Sequence, residues 1–392
     1  MVTTLPAVLI GGPPHAGKSV LFYSLTHALR LRGIRHHAFR ACPDGEGNWT
    51  QESDAGTVSQ IRQSLKGEWP DSFVKRICQD LEHRCLPLLV DMGGRPKESQ
   101  MCILRECTHA VLLLRADKLD YTQLWQGLIA ECNLSLLAQI HSQLEGISTI
   151  TAPAPALEGT LTGLERHNTT LLTGPVFDAL VEHIIALFNS YPLQDLEKAK
   201  LEQAPTKLVI NLYDALYALD PLATKWEPEM LKPFLASVPT HTPLSVYGVG
   251  PNWVYAALAA YTDHPSLYQF DPKLPFGWIQ PLALQLSSEC FAEVLVEVHP
   301  YDDVTKLSIS FPPHRLEYFQ PLPLPFPPVR ADAGLIIDGR LPYWLLTALV
   351  RLYREAGVAW IATYHPPKNG AIIVSSRVDT YIPGNFIAMP IS

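Results

Sequence analysis

The chain has 392 residues, 47% of them apolar and 17% charged, a balance that excludes a disordered polymer and a length that exceeds one ordinary core. Its formal net charge of -8 argues against a broad basic surface for long DNA or RNA. A small phosphorylated ligand stays within reach, because backbone amides at helix ends hold phosphate without net positive charge.

Met1 leads into TTLPAVLI, which lacks the basic n-region and long apolar run of a secretory signal. No apolar run approaches the ~18 residues of a membrane span, so the expectation is a soluble, cytoplasmic protein with no membrane partner. The seven cysteines (42, 78, 85, 102, 107, 132 and 290) are odd in number and form no CxxC pair. They read as free thiols of a reducing cytosol.

LPAVLI is a short apolar strand that runs into GGPPHAGKS, the pattern G-x-x-x-x-G-K-S. Gly12, Pro13, Pro14, His15, Ala16, Gly17, Lys18, Ser19 and Val20 form the expected nucleotide-binding loop. Its glycines turn amides towards phosphates, Lys18 neutralises the β and γ oxygens, and the Ser19 hydroxyl ligates Mg2+. VLFYSLTHALRLRG (20–33) has helical spacing and stops at Gly33, so strand, loop and helix come in the order the motif needs. RHHAFRA (35–41) is the predicted second strand.

In the following loop, CPDGEGNW (42–49), Asp44 and Glu46 stand where a kinase could carry an acidic base, although a turn with two solvated acids is the plainer alternative. LPLLVDMGG (86–94) is a buried-type strand ending in Asp91, which fits the carboxylate that holds the magnesium shell. THAVLLLRAD (108–117) and ISTITAP (147–153) read as further strands of a parallel sheet. Arg166 could reach a γ-phosphate or simply lie on the surface. GPVFDALVEHIIALF (174–188) is an amphipathic helix that closes the domain, and 191–206 reads as a polar connector.

The remainder is written twice. PLSVYGVGPNWVYAALAAY is matched at an offset of 91 positions by GLIIDGRLPYWLLTALVRLY: Gly248 pairs with Gly339, Pro251 with Pro342, and Trp253 with Trp344. With a gap of about three residues, Pro272 pairs with Pro366, and each unit reads strand, turn, helix, strand, turn, strand. Glycine shapes each turn, and proline opens each helix where a missing N–H costs nothing. The helix start then presents free amides and the positive end of its dipole. Gly248, Val249, Gly250 and Pro251, with Gly339, Arg340, Leu341 and Pro342, are therefore the candidate anion-binding turns. Two such turns related by a pseudo-twofold would suit a twofold-symmetric polyanion, and the strands of the two copies are expected to join in one sheet.

GLIIDGRLPYWLLTALVRLY and the later ATYHPPKNGAIIVSS resemble the CRISPR-associated type III accessory ring-nuclease family, which acts on cyclic tetra-adenylate. The whole chain resembles its form fused to an N-terminal AAA-type P-loop ATPase. Gly339, Arg340, Pro342 and Trp344 match the family's Gly-Arg-x-Pro-x-Trp helix opening, and Tyr364, Pro366 and Gly370 match its Tyr-Asp-Pro-Arg-x-Gly turn. The resemblance implies Mn2+-dependent ring cleavage at that turn and at a histidine near the helix end. Here His365 and Pro367 replace the turn's acid and arginine, whereas the first copy keeps Asp271 and Pro272 but carries Lys273. Near the helix ends stand Thr262, with His264 two residues on, and Tyr353 with Arg354. Lysine lacks the bidentate fork of arginine, so ligand binding survives these changes more easily than cleavage does.

The expectation is an α/β protein: a P-loop NTPase domain over 1–190, a linker over 191–206, a divergent first repeat over 207–289 and a second repeat over 290–392, the repeats forming a pseudo-dimer. Lys18, Asp91, Asp44, Glu46, Asp271, Lys273 and His365 are the candidate catalytic residues. Ser19 and Asp91 are the metal ligands, and ATP and Mg2+ the cofactors, with Mn2+ for ring cleavage. The expected partners are a cyclic oligoadenylate and further copies of the chain.

Overall fold

A computed structural model describes residues 4–41, 71–92, 96–165, 171–262, 266–272, 274, 277–289, 294–311, 318 and 323–389. The chain divides into two compact units, residues 1–198 with 272–275, and residues 199–271 with 276–392. Among the described residues no helix is long and apolar enough to cross a membrane.

The first unit is a seven-stranded sheet covered on both faces. Its strands are β1 (Ala7–Gly11), β2 (His37–Arg40), β3 (Leu88–Asp91), β4 (His109–Leu114), β5 (Ser135–Gln143), β6 (Thr149–Ala152) and β7 (Leu157–Thr162), in the order β2-β3-β1-β4-β5-β7-β6. All neighbours are parallel except β6 and β7. Every residue of β1 is buried, as a central strand with helices on both faces requires.

On one face α1 (Lys18–Leu31) packs through Leu21, Leu25 and Leu29 beside α5 (Pro175–Asn189), whose Val176, Leu180, Ile184 and Phe188 form its buried stripe. The other face is covered by α2 (Asp71–Glu82), α3 (Met101–Arg105) and α4 (Leu119–Glu131). The helices after β1 and β4 thus lie on opposite faces, and the crevice between two such neighbouring strands is where open α/β sheets bind ligands.

Four features differ from the sequence reading. The segment 147–153 supplies an antiparallel edge strand rather than another parallel one, because the short connection between β6 and β7 allows only a hairpin. The strands β5 and β7 lie in stretches for which the sequence predicts no element. The connector 191–206 contains α6 (Leu193–Glu202), whose Glu197 is buried against Arg35. The cysteines are not all free: Cys78 of α2 and Cys102 of α3 form a disulfide, their Cα atoms 6.2 Å apart, within the range of roughly 4.4–6.8 Å that such bridges span. Cys107 and Cys132 are free thiols.

The second unit contains the two copies. In the first, β8 (Leu208–Asn211), β9 (Leu244–Tyr247) and β10 (Leu267–Phe270) are parallel and β11 (Trp278–Ile279) is antiparallel. Helices α7 (Leu212–Leu219) and α8 (Leu231–Ala236) fall between β8 and β9, and α9 (Asn252–Tyr261) follows β9. A separate pair, β12 (Leu284–Leu286) with β15 (Leu324–Phe326), follows.

In the second copy β13 (Leu295–Pro300) pairs with β14 (Val304–Ser310), and β14, β16 (Gly334–Gly339) and β17 (Trp360–His365) are parallel. Strands β18 (Gly370–Ser376) and β19 (Phe386–Ala388) complete the sheet antiparallel, and α10 (Tyr343–Glu355) follows β16. Three parallel strands, an antiparallel fourth and a helix after the second strand recur in both copies, as the repeat in the sequence requires. The main sheets of the two copies, of four and six strands, do not merge among the described residues; the copies meet through α9 and α10, and strand pairing between them is confined there to β12 of the first copy with β15 of the second. Ala256, Ala257, Ala259 and Ala260 of α9 are all buried, and side chains that small let a second helix approach closely.

His36, just before β2, is 2% exposed and directs Nδ1 at the Ile34 carbonyl, 2.9 Å away. Burial, reinforced by the nearby Arg30 charge, pushes its imidazole down to about 3. The unfolded chain therefore takes up this proton and the native chain does not, so the contribution is complete above pH 6.5 and is lost as pH falls towards about 3. In urea unfolding at pH 7.5, 6 and 5, His36→Leu is expected to gain on wild type by about 1.4 kcal/mol per pH unit below 6.5. Parallel pH profiles would rule out the buried neutral histidine.

Candidate functional site

The loop between β1 and α1 is shaped by two glycines. Gly12 has φ 136°, and a Cβ there would lie 2.2 Å from the Leu113 carbonyl oxygen. Gly17, with φ 85°, caps α1 in the left-handed region, and its Cβ would lie 2.5 Å from Leu164 Cβ. Only glycine satisfies both demands. His15 at the crown also has positive φ, 63°, and Ala16 beside it is buried. The loop closes on the helix through Val20 N–H donating to Gly17 O at 3.0 Å.

Inside this curve Lys18 is 8% exposed and donates through Nζ to the carbonyls of Gly12 (3.0 Å) and Pro13 (2.7 Å). Its ammonium is thereby held across the mouth of the loop, with Pro14 and His15 on the outer turn. The next residue, Ser19, donates through Oγ to Asp91 Oδ2 at 3.0 Å. Asp91 is 2% exposed at the carboxyl end of β3, directly beside β1, with Ile10 and Asp91 in register. A hydroxyl and a carboxylate at this spacing are hard oxygen donors of the type Mg2+ takes from proteins, the remaining ligands being water and phosphate. Ser19 and Asp91 therefore fit the magnesium role, and Lys18 with the loop amides fits the phosphates. Among the described residues no group of three or more His, Cys, Asp or Glu side chains forms a separate metal cluster.

Two arginines that sequence reasoning did not single out belong to this site. Arg40 ends β2 and places Nε 3.4 Å from Asp91 Oδ2, both side chains about 95% buried. Arg115, just after β4, donates to the His15 carbonyl at 3.0 Å and grips Asp117 through two bonds of 2.8 Å. Arg115 thus steadies the crown of the loop and holds the Asp117 carboxyl below its usual range. The available signal was position: each arginine closes a strand whose neighbour carries part of the motif. Asp44, Glu46 and Arg166 lie outside the described residues.

In the second unit the paired turns have nearly identical backbones. Pro251 (φ -68°, ψ 154°) caps α9 and Pro342 (φ -64°, ψ 151°) caps α10, and the glycines before them have φ 108° at Gly248 and 152° at Gly339. At Gly339 a Cβ would meet the Ile309 carbonyl oxygen at 2.4 Å.

The turns touch each other through reciprocal bonds. Asn252 Nδ2 donates to the Leu341 carbonyl at 3.1 Å, and Tyr343 Oη donates to the Gly250 carbonyl at 2.9 Å. Asn252 and Tyr343 are equivalent in the repeat, as are Gly250 and Leu341, so the two contacts are one contact applied twice, the signature of an isologous pair. At the far ends of the helices Arg351 donates to the Ala259 carbonyl (3.2 Å) and to Thr262 Oγ1 (3.3 Å). Start meets start and end meets end, so α9 and α10 run parallel and both N-termini lie at the same end of the pseudo-axis.

Tyr255 stacks on Tyr343 with centroids 4.3 Å apart and donates to the Gly248 carbonyl at 2.5 Å. Its phenol is pushed up by burial and then by Tyr343. Gly250 and Leu341 are buried, Val249, Pro251 and Pro342 half-buried, and Gly339 and Arg340 exposed. Trp253 and Trp344 are both 3% exposed and belong to the core. Asn252, Tyr255 and Tyr343 were missed by the sequence reading, although two of them directly follow the matched prolines.

Asp271 and His365 occupy corresponding points, each just at the end of the strand that follows the helix. Asp271 is 8% exposed. His365 is half-buried, and burial, with Lys368 and Lys225 nearby, pushes its imidazole down to about 4. It is therefore neutral near pH 7, able to accept a proton but not to offer a phosphate a fixed positive charge. Lys273 and His264 lie outside the described residues.

Residues 312–388 match the family of the CRISPR-associated protein (Cas_csx3). No protein of curated function matches the chain. Solved structures are similar at low identity, among them the three that follow. Chloroplast FtsY from Physcomitrella patens is 13% identical, with 36% of this chain and 51% of that one covered and a TM-score of 0.24, so this chain spans about half of that protein's structure. A plasmid partition protein from Borrelia burgdorferi B31 bound to AMPPNP is 12% identical over 48% of this chain and 99% of that one, TM-score 0.31. The signal recognition particle 54 kDa protein from Aeropyrum pernix K1 with GDP is 14% identical over 60% and 57%, TM-score 0.29. The P-loop assignment rests on the cradle itself.

The clasp makes a specific demand. Tyr343→Phe is expected to lower stability by about 1 kcal/mol through the lost bond to Gly250, and Tyr343→Ala by about 3 kcal/mol as the stack goes too. Urea unfolding measures both, and an alanine variant as stable as wild type would show that the two turns are not clasped.

Proposed function

We propose that this chain is a cytoplasmic nucleotide-signalling protein of type III CRISPR defence. In this reading its second unit binds a cyclic oligoadenylate, tetra-adenylate being the ring that suits two-fold symmetry, and its first unit binds and turns over ATP with Mg2+. The CRISPR context draws support from the match over residues 312–388, and nucleotide binding from the cradle of Gly12, Gly17, Lys18, Ser19 and Asp91. The assembly is a homo-oligomer in this reading.

The observation that carries the proposal is the reciprocal clasp. It sets two helix N-termini side by side at one end of a pseudo-twofold axis, the arrangement a twofold-symmetric ring of phosphates would need. Arg340 lies exposed beside the second N-terminus and can add the charge that the first copy lacks. Ring cleavage would fall to Asp271, Lys273 and His365 with Mn2+. The changed residues make binding the more robust half of the reading, because neutral His365 cannot replace the family's acid.

At the first unit Lys18 and the loop amides would hold the β and γ phosphates, while Ser19 and Asp91 would hold Mg2+. Bound there, the metal supplies neutralisation of phosphate charge. The same geometry serves an ATPase and a phosphotransferase, and the acceptor decides between them.

Incubation with γ-labelled ATP and oligoadenylates tests the reaction class: free labelled phosphate is expected, and label on the oligonucleotide would replace the ATPase reading with a kinase. Lys18→Ala is expected to abolish nucleotide turnover and leave cyclic tetra-adenylate binding within about twofold of wild type, since the two sites share no residues. Loss of both activities in a folded variant would overturn the two-site picture.

A further inference from the structure

Arg40 owes its place to sheet register. In the parallel ladders Arg40, Asp91 and Ile10 stand opposite one another on β2, β3 and β1. Ala41 N–H donates to the Asp91 carbonyl at 2.9 Å, which fixes the end of β2 against the end of β3. The guanidinium therefore comes to the magnesium carboxylate through backbone pairing, with no flexible loop between.

The contact is both close and dry. One oxygen, Asp91 Oδ2, faces Ser19 Oγ at 3.0 Å and Arg40 Nε at 3.4 Å. A carboxylate 2% exposed must be matched by positive charge or hydrogen bonds, and Arg40, 5% exposed, supplies the charge. A divalent ion held by Ser19 and Asp91 would approach that same oxygen, close to a guanidinium that cannot lose its proton. Two cations then share one carboxylate in a region of low dielectric, where their repulsion is large.

We infer that Arg40 is a positioning residue which competes with magnesium for Asp91, so that metal capture at this P-loop is an exchange in which the guanidinium yields the carboxylate. The inference rests on the reading of this loop as a Mg2+–nucleotide site. It gives Arg40 two roles in sequence: it keeps the Asp91 side chain aimed at Ser19 before the metal arrives, and it sets the Mg2+ concentration at which the site loads. The ion pair that Asp91 gives up would be replaced by its attraction to the divalent charge.

Binding of a fluorescent ATP analogue to the full chain, followed across a Mg2+ titration at pH 8, tests this without relying on turnover. Arg40→Gln removes the competing charge and is expected to lower the Mg2+ concentration for half-maximal binding about tenfold, whereas Arg40→Lys, which keeps the charge, stays within about threefold of wild type. A purely structural arginine would lower Tm and leave the magnesium midpoint where it was, and that result, or a higher midpoint in the Gln variant, overturns the inference.

The wild-type protein offers a second readout should the Gln variant fail to fold. The Arg40 Nε–H resonance is expected to shift when Mg2+ and nucleotide are added together and to stay in place with Mg2+-free nucleotide; no shift on Mg2+ addition overturns the exchange. Wild-type protein that binds no nucleotide at any Mg2+ concentration removes the nucleotide reading itself. Nucleotide binding whose Mg2+ midpoint is the same with and without the arginine removes only the competition.

Discussion

A buried carboxylate is the constraint on which the first unit turns. Asp91 lies at the carboxyl end of a strand with almost no solvent, and an isolated charge there would be prohibitive. Its surroundings answer that demand from three directions: Ser19 from the start of α1, Arg40 from the end of β2, and the sheet register that holds both ends in place. The phosphate loop depends on the same register, because β1 must end level with β3 for Lys18 and Ser19 to reach the crevice. Gly12 and Gly17 complete the constraint, since a side chain at either would collide with the packed neighbours that set the loop's curve.

The second unit solves a different problem, that of two small α/β copies which must bury their helices. The helix of the first copy has no polar side to spare: eight of the ten residues of α9 are buried. Packing α9 against α10 buries both, and the alanine-rich face of α9 permits a close approach. The parallel arrangement then follows from matched contacts at both ends, and it sets two positive dipole ends side by side. Parallel neighbouring dipoles repel, so the arrangement needs the reciprocal bonds of Asn252 and Tyr343 and the Tyr255 stack to hold it. It is also one that an anion at the shared end would stabilise.

Duplication within one chain has let the halves diverge where a pair of identical subunits could not. The equivalent residues Asn252 and Tyr343 make the same contact with different chemistry, an amide in one copy and a phenol in the other. Asp271 and His365 diverge further, an aspartate in one copy and, in the other, a histidine that is neutral at physiological pH. In the second copy β14 is flanked by an extra strand, β13, and β18 by another, β19, whereas the first copy fills the interval between its first two strands with two helices.

Much of this was legible in the sequence, and the reasons are local. Strand, glycine loop and helix at the P-loop are dictated by residues within about thirty positions of one another, and the repeat was visible because glycine and proline have conformational roles that few other residues can fill. The apolar stripe of 174–188 and the buried run ending at Asp91 follow from the same short-range logic. What the tertiary structure alone decided involves partners far apart in the chain. The pairing of Arg40 with Asp91 depends on strand order, the disulfide of Cys78 and Cys102 on two helices packing side by side, and the separation of the two main sheets on the packing of the copies through α9 and α10. The parallel clasp of α9 and α10 is of this kind too. Periodicity tells a helix which face to bury, but only the packed fold determines what that face will meet and which way the neighbour will point.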